Sequence, residues 1–213
     1  MTARLKMRIG LLCLTSLGAF PVQAEDKVVS RYSTAGQKLP QCALAKPPVE
    51  GMSCTGLAGW TLNIGYPAFG ATINFSQGKA LSVHHSPRDG KQVDVDDLAG
   101  KTTTIEWRGM MRGATFEPHA AIIRVLVQDA AQRQGMIEQG ARLPAAKHAQ
   151  ILIVTRLGGE GSCQIAYVDA QANAKPNEMA RRAADALGRS TTCPVSSVEI
   201  VGAKTPILAS YMK

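Results

Sequence analysis

Aromatic residues are scarce, 5% of 213 positions with only two Trp. That is too few for the stacking platform on which single-stranded nucleic acid rests, or for an aromatic carbohydrate cleft. No Cys-x-x-Cys occurs, which removes the usual spacing of thioredoxin-like redox centres and of zinc knuckles. There is no Gly-x-Ser-x-Gly elbow. Gly158, Gly159 and Gly161 lie between two strand-like runs with no helix start behind them, so they read as a hairpin turn and not as a phosphate cradle. His84 and His85 are adjacent and face opposite sides of any strand, and His119 and His148 lack ligand-spaced companions. Asp94, Asp96 and Asp97 are without the glycine and closing glutamate of a calcium loop. The sequence therefore assigns no catalytic residue, no metal and no cofactor. Repeats and low-complexity segments are missing as well, and beyond the first segment no apolar run approaches the length of a membrane span.

What is present begins with an export signature. Arg4, Lys6 and Arg8 precede an apolar stretch at 9–20, and Val22, Gln23 and Ala24 form a small-residue cleavage site. Residues 1–24 are expected to be a signal peptide removed before Glu25, sending the chain to the periplasm or beyond. Cys13 follows Leu12 inside the apolar run, a poor context for a lipid anchor. Whole-chain charge is +8; without the three signal bases, 21 bases face 16 acids, a net +5. Such a charge suits weak attraction to anionic envelope polymers as well as plain solubility. Four cysteines remain after Cys13, and an even number in an oxidising compartment reads as two disulfides with three connectivities open. Position favours Cys163–Cys193, which would tie the start of a strand to the end of a helix packed across it. It also favours Cys42–Cys54, which closes a loop containing Pro47, Pro48 and Gly51.

Hydrophobic alternation predicts strands at 60–64, 71–75, 80–84, 102–108, 120–128, 151–157 and 163–170, with a further edge strand near 198–201. The run at 120–128 is apolar on both faces and should be central. Met179, Ala183 and Leu187, flanked by Ala180 and Ala184, form one helical stripe, with Arg181, Arg182 and Asp185 directed elsewhere. Asn177 is the expected N-cap and Gly188 the expected stop; a short helix at 130–139 is a weaker expectation. Successive hairpins and one firm helix define an α+β domain: an antiparallel β-sheet of about seven strands with one C-terminal helix packed on it. The organisation is a signal peptide (1–24), an N-terminal arm with a disulfide loop (25–59), a single α+β domain (60–193) and a tail (194–213).

The succession Leu152, Val154, Arg156, then Cys163, Ala166, Tyr167, Val168, Asp169, Ala170, Ala172 and Asn173, then Asn177, Glu178, Ala180, Arg181, Ala183, Ala184, Asp185 and Cys193 resembles a family of small exported proteins of alphaproteobacteria. Blocks at 104–108 and 119–124 share in the likeness. The resemblance implies an exported, disulfide-containing domain, and it brings no assigned activity and no catalytic residue.

One cluster of charges stands out. Arg124 shares a strand face with Ile122 and Leu126, and Arg156 with Leu152 and Val154, so both guanidinium groups rise from apolar surroundings and need an acid or a route to the edge. Glu106, next but one to Arg108, is the available acid. One acid among several bases leaves positive charge over, and Glu106, Arg108, Arg124 and Arg156 form a candidate anion site for a carboxylate or phosphate; a purely structural ion-pair network is the competing reading. The function expected from all this is a non-catalytic binding or interaction module of the cell envelope, meeting an anionic polymer or another periplasmic protein, with no nucleic acid and no transmembrane segment. The alternative is a periplasmic hydrolase whose carboxylates the sequence does not single out.

Overall fold

The computed structural model describes residues 27–44, 51–65, 72–77, 102–127, 149–159, 161–193 and 195–211. The expected signal peptide, the strand at 80–84 with His84 and His85, the acidic loop holding Asp94, Asp96 and Asp97, the helix at 130–139 and His148 lie outside them.

The alternating runs become strands. Trp60, Leu62 and Ile64 fill one face of β4 (Trp60–Gly65), which pairs on one side with β5 (Thr72–Gln77) and on the other with β3 (Gly51–Thr55); β2 (Cys42–Leu44) completes a four-stranded antiparallel sheet. The second sheet has six strands in the order β1 (Lys27–Ala35), β6 (Thr103–Arg112), β7 (Thr115–Val127), β8 (Ala149–Gly158), β9 (Gly161–Asp169) and β10 (Glu199–Ile200). All its pairings are antiparallel except β9 with β10. Helix α1 (Pro176–Ser190) follows β9, and a short α2 (Pro206–Tyr211) follows β10.

The two sheets face each other across one core. Met52, Leu62, Ile64 and Phe75 from the small sheet meet Ile105, Trp107, Ile123 and Ile153 from the large one, and the Phe75 and Trp107 rings meet edge to face at 5.5 Å. Ser162 stitches the sheets at their margin: its hydroxyl donates to the Phe75 carbonyl (2.7 Å) and accepts from the Phe75 N–H (3.0 Å). On the opposite face of the large sheet, α1 sets Ala180, Ala183 and Ala184 against Ala120, Ile122, Leu152, Val154, Ala166 and Val168. The result is three layers, small sheet on large sheet on helix, with the large sheet buried on both sides; this is why β7 and β8 carry apolar residues on both of their faces.

The α+β class and the hairpin of β8 and β9 match expectation, as does the central position of β7 in its sheet. The single sheet of about seven strands does not: there are ten strands in two sheets among the described residues, with two helices. Alternation reveals that a strand has a buried face, but not which sheet it joins. Residues 27–35, expected as an arm, form a nine-residue edge strand. The loop expected around Cys42 and Cys54 contains β2 and β3, in which the two cysteines are directly opposed. Asn177 is not the N-cap. Pro176 takes the first helical position, where its missing N–H costs nothing, and the cap falls on Lys175 without a side-chain bond. Nor does Gly188 stop the helix, which runs on to Ser190. A Cβ there would lie 3.1 Å from both the Ala120 methyl and the His119 ring, so glycine serves close approach of helix to sheet.

Both disulfides have the expected pairing: Cys42–Cys54 with Cα atoms 4.0 Å apart, and Cys163–Cys193 with Cα atoms 5.7 Å apart. The Asp169 and Asn173 positions tie down the C-terminal tail. Asp169 accepts from the N–H groups of Gln171 (2.9 Å) and Ala172 (3.0 Å) and from the Thr205 hydroxyl (2.8 Å), while Asn173 Oδ1 accepts from the Ala203 N–H (3.1 Å). No helix of the described residues is long and apolar enough to cross a membrane.

Candidate functional site

On the helix side of the large sheet, register aligns Ser30, Arg108, Ala120 and Arg156 in one cross-strand row and Tyr32, Glu106, Ile122 and Val154 in the next. The apolar members lie under the alanine stripe of α1. Ser30 and Tyr32 on β1 and Arg108 and Glu106 on β6 lie under the flank of the helix that carries Arg181 and Asp185, one helical turn apart and so on the same side.

These groups form one continuous seam. Arg181 Nη2 donates to the Tyr32 hydroxyl (3.2 Å), and its Nε and Nη2 donate to the two carboxylate oxygens of Glu106 (2.6 and 3.2 Å). Ser30 donates its hydroxyl proton to Glu106 Oε1 and accepts from Arg108 Nη1 (2.9 Å). Arg108 then turns its Nε and Nη2 onto Asp185 Oδ1 and Oδ2 (3.0 and 2.5 Å). The Arg108 side chain is 12% exposed and that of Glu106 11%. Charges buried so far are tolerable because each carboxylate receives a two-pronged guanidinium, the geometry in which Arg recognises acids best. The bonds to Glu106 raise the Arg181 pKa above its ordinary value, so its charge is permanent.

His119 sits at the end of the seam. The pairing of β6 with β7 shifts between Arg108 and Gly109, leaving His119 as the extra residue of a bulge. Its Nε2 is 3.5 Å from Asp185 Oδ1, near enough for attraction but without a hydrogen bond, and neither ring nitrogen has a hydrogen-bond partner among the described residues. Burial lowers its pKa from the ordinary 6.5; Arg189 and Arg108 push the same way, and Asp185 opposes them.

Of the four residues expected to form an anion site, Glu106 and Arg108 meet through Ser30, while Arg124 and Arg156 are held apart from them. Arg124 reaches the N-terminal turn of α1, donating to Asn177 Oδ1 (3.0 Å) and to Gln150 Oε1 (2.9 Å). Arg156 folds along its own strand over Gly158, with Nη1 3.9 Å from Cys193 Sγ and a buried Nε without a partner among the described residues. Asp185, Arg181, Ser30, Tyr32 and His119 belong to the seam, and the sequence does not single them out as site residues. The available signal was the Arg181 and Asp185 spacing of four on the helix flank. Among the described residues no group of three His, Cys, Asp or Glu side chains gathers in metal-binding proximity.

No protein-family model, curated protein or solved structure matches the chain.

Proposed function

We propose that this chain is an exported, non-catalytic binding module of the cell envelope that meets an anionic partner through cations outside the seam. The reading takes residues 1–24 as a signal removed on export and the chain as a member of the exported family that its motifs resemble. The observation that carries it is how charge is distributed. Glu106 beneath α1 and Asp185 on its flank each have both oxygens filled by an arginine, an arrangement suited to docking a helix and not to moving protons. Outward from them, Lys27, Arg31, Lys38, Arg124 and Arg182 have no carboxylate partner among the described residues. Unpaired surface cations attract polyanions and steer them at low salt. Two disulfides, which suit an oxidising compartment, support the export part of the reading.

Purified protein starting at Glu25 should be retained on poly-L-glutamate and on peptidoglycan sacculi at low ionic strength and released as salt rises. Absence of retention on either material, or turnover of the sacculi, would overturn the proposal. Fractionation of cells and intact-mass analysis of the exported form test the compartment separately.

A further inference from the structure

Among the described residues no strand pairs with the outer edge of the first strand of the large sheet, and the chemistry of that edge selects an occupant. β1 pairs with β6 on one side and begins the sheet order. In an antiparallel ladder alternate residues direct their N–H and C=O groups to the partner strand and away from it. At the end of β1 the Thr34 carbonyl accepts from Gln41 Nε2 (2.9 Å), and the Gly36 N–H points to Cys42 Sγ (3.4 Å) instead of to β6. Thr34 thus belongs to the outward set, and alternation puts Val28, Ser30 and Tyr32 with it. Their six outward backbone groups have no backbone partner among the described residues.

Side chains beside this edge divide by face. Lys27 and Arg31, both exposed, lie on one face; Val28 and Tyr32, the latter 55% exposed, lie on the other. Residues 27–44 contain three bases, Lys27, Arg31 and Lys38, and no acid. An added strand would therefore set alternate residues against cations and the intervening ones against Val28 and the Tyr32 ring. A second copy fits badly: antiparallel pairing about the middle of β1 brings the two Arg31 side chains opposite or diagonal to each other, where like charges repel. We infer that β1 is a docking edge for an extended peptide segment of a partner protein in which acidic and apolar residues alternate, held by strand addition. This rests on the binding-module reading and names the partner class for it.

The test uses fluorescence anisotropy with the processed chain and a labelled peptide of about eight residues alternating glutamate and valine, the length of an ordinary edge strand. Saturable, salt-weakened binding is expected, with Arg31→Glu losing affinity and gaining it for the lysine–valine counterpart. The outward N–H of Tyr32 makes no bond to β6, so Tyr32→Pro leaves the sheet intact while blocking the added strand. Loss of even one or two ladder bonds should weaken binding about tenfold, whereas Tyr32→Phe should retain it. Should Tyr32→Pro fail to fold, Val28→Pro and a peptide N-methylated at alternate residues ask the same question of the wild type. Absence of saturable binding, undiminished binding to the proline variants or the methylated peptide, or equal affinity for the lysine peptide overturns the inference. So does wild-type dimerisation that Tyr32→Pro abolishes, which would make a second copy the occupant. Retention on poly-L-glutamate or sacculi without peptide binding removes the docking edge and leaves the binding-module reading standing; loss of both removes both.

Discussion

Asp185 on helix α1 receives two donors from Arg108 on β6, at 3.0 and 2.5 Å, joining positions 77 residues apart in the chain. With Arg181 and Glu106 it fixes the polar flank of the helix to the first two strands of the sheet, while alanines fix the apolar flank to the next three.

Replacing Arg108 with Gln should be costly, because Asp185 and the Ser30 hydroxyl lose their main donor beneath the helix. Asp185 is 29% exposed, so water repays part of the loss, and the expected destabilisation is about 1–3 kcal/mol in urea unfolding. The double variant Arg108→Met with Asp185→Leu should recover part of it, since no charge is then stranded.

Acid should loosen the helix side of the sheet through His119. Its folded-state pKa is below the ordinary 6.5, so the unfolded chain takes up the proton first. Stability from this group is therefore present above about pH 6.5 and falls as the pH drops through the folded-state value. Thermal unfolding between pH 5 and 8 should show that slope, and His119→Gln should flatten it.

Gly56 lies against the indole of Trp107, which is fully buried. A methyl group there would overlap the ring carbons, and the ring is walled in by both sheets. Gly56→Ala is expected to cost about 1–3 kcal/mol by overpacking and to alter Trp fluorescence. An unchanged melting temperature would mean that the ring has room to move.

Removal of the Cys163–Cys193 bridge as a Cys163→Ala, Cys193→Ala pair should lower stability by about 3–4 kcal/mol on the chain-entropy estimate. Hydrogen exchange should locate the loss in the start of β9 and the segment just after α1, which the bridge joins, and in the last turn of the helix next to it.

Much of the helix side was readable because its signals are apolar and local: Ile122, Leu152 and Val154 on strands, and Ala180, Ala183 and Ala184 on one stripe of a helix begun by Pro176. The unreadable part is the polar remainder. β1 alternates no apolar set, since its helix-side residues include Ser30 and Tyr32, whose partners are charged groups on β6 and α1. Arg181 and Asp185 leave the apolar stripe, but a helix flank does not announce which strand lies beneath it. His119 enters the seam only because a bulge adds one residue to β7, a shift without a pattern in composition or period. Shared strand faces and the spacing of Glu106 and Arg108 point to a four-residue anion site, but the same faces accommodate Arg124 and Arg156 at separate ends.

The central claim is that charge beneath α1 holds the fold while charge on the outer rim meets the partner. Its most direct test is affinity for poly-L-glutamate together with urea stability, measured on Arg108→Gln and on Lys27→Gln with Arg31→Gln. The account predicts that the first variant loses stability and keeps its affinity at low temperature, where it remains folded, and that the second keeps its stability and binds several-fold more weakly. A seam variant that loses affinity while still folded, or a rim variant that binds as well as the wild type, would contradict it.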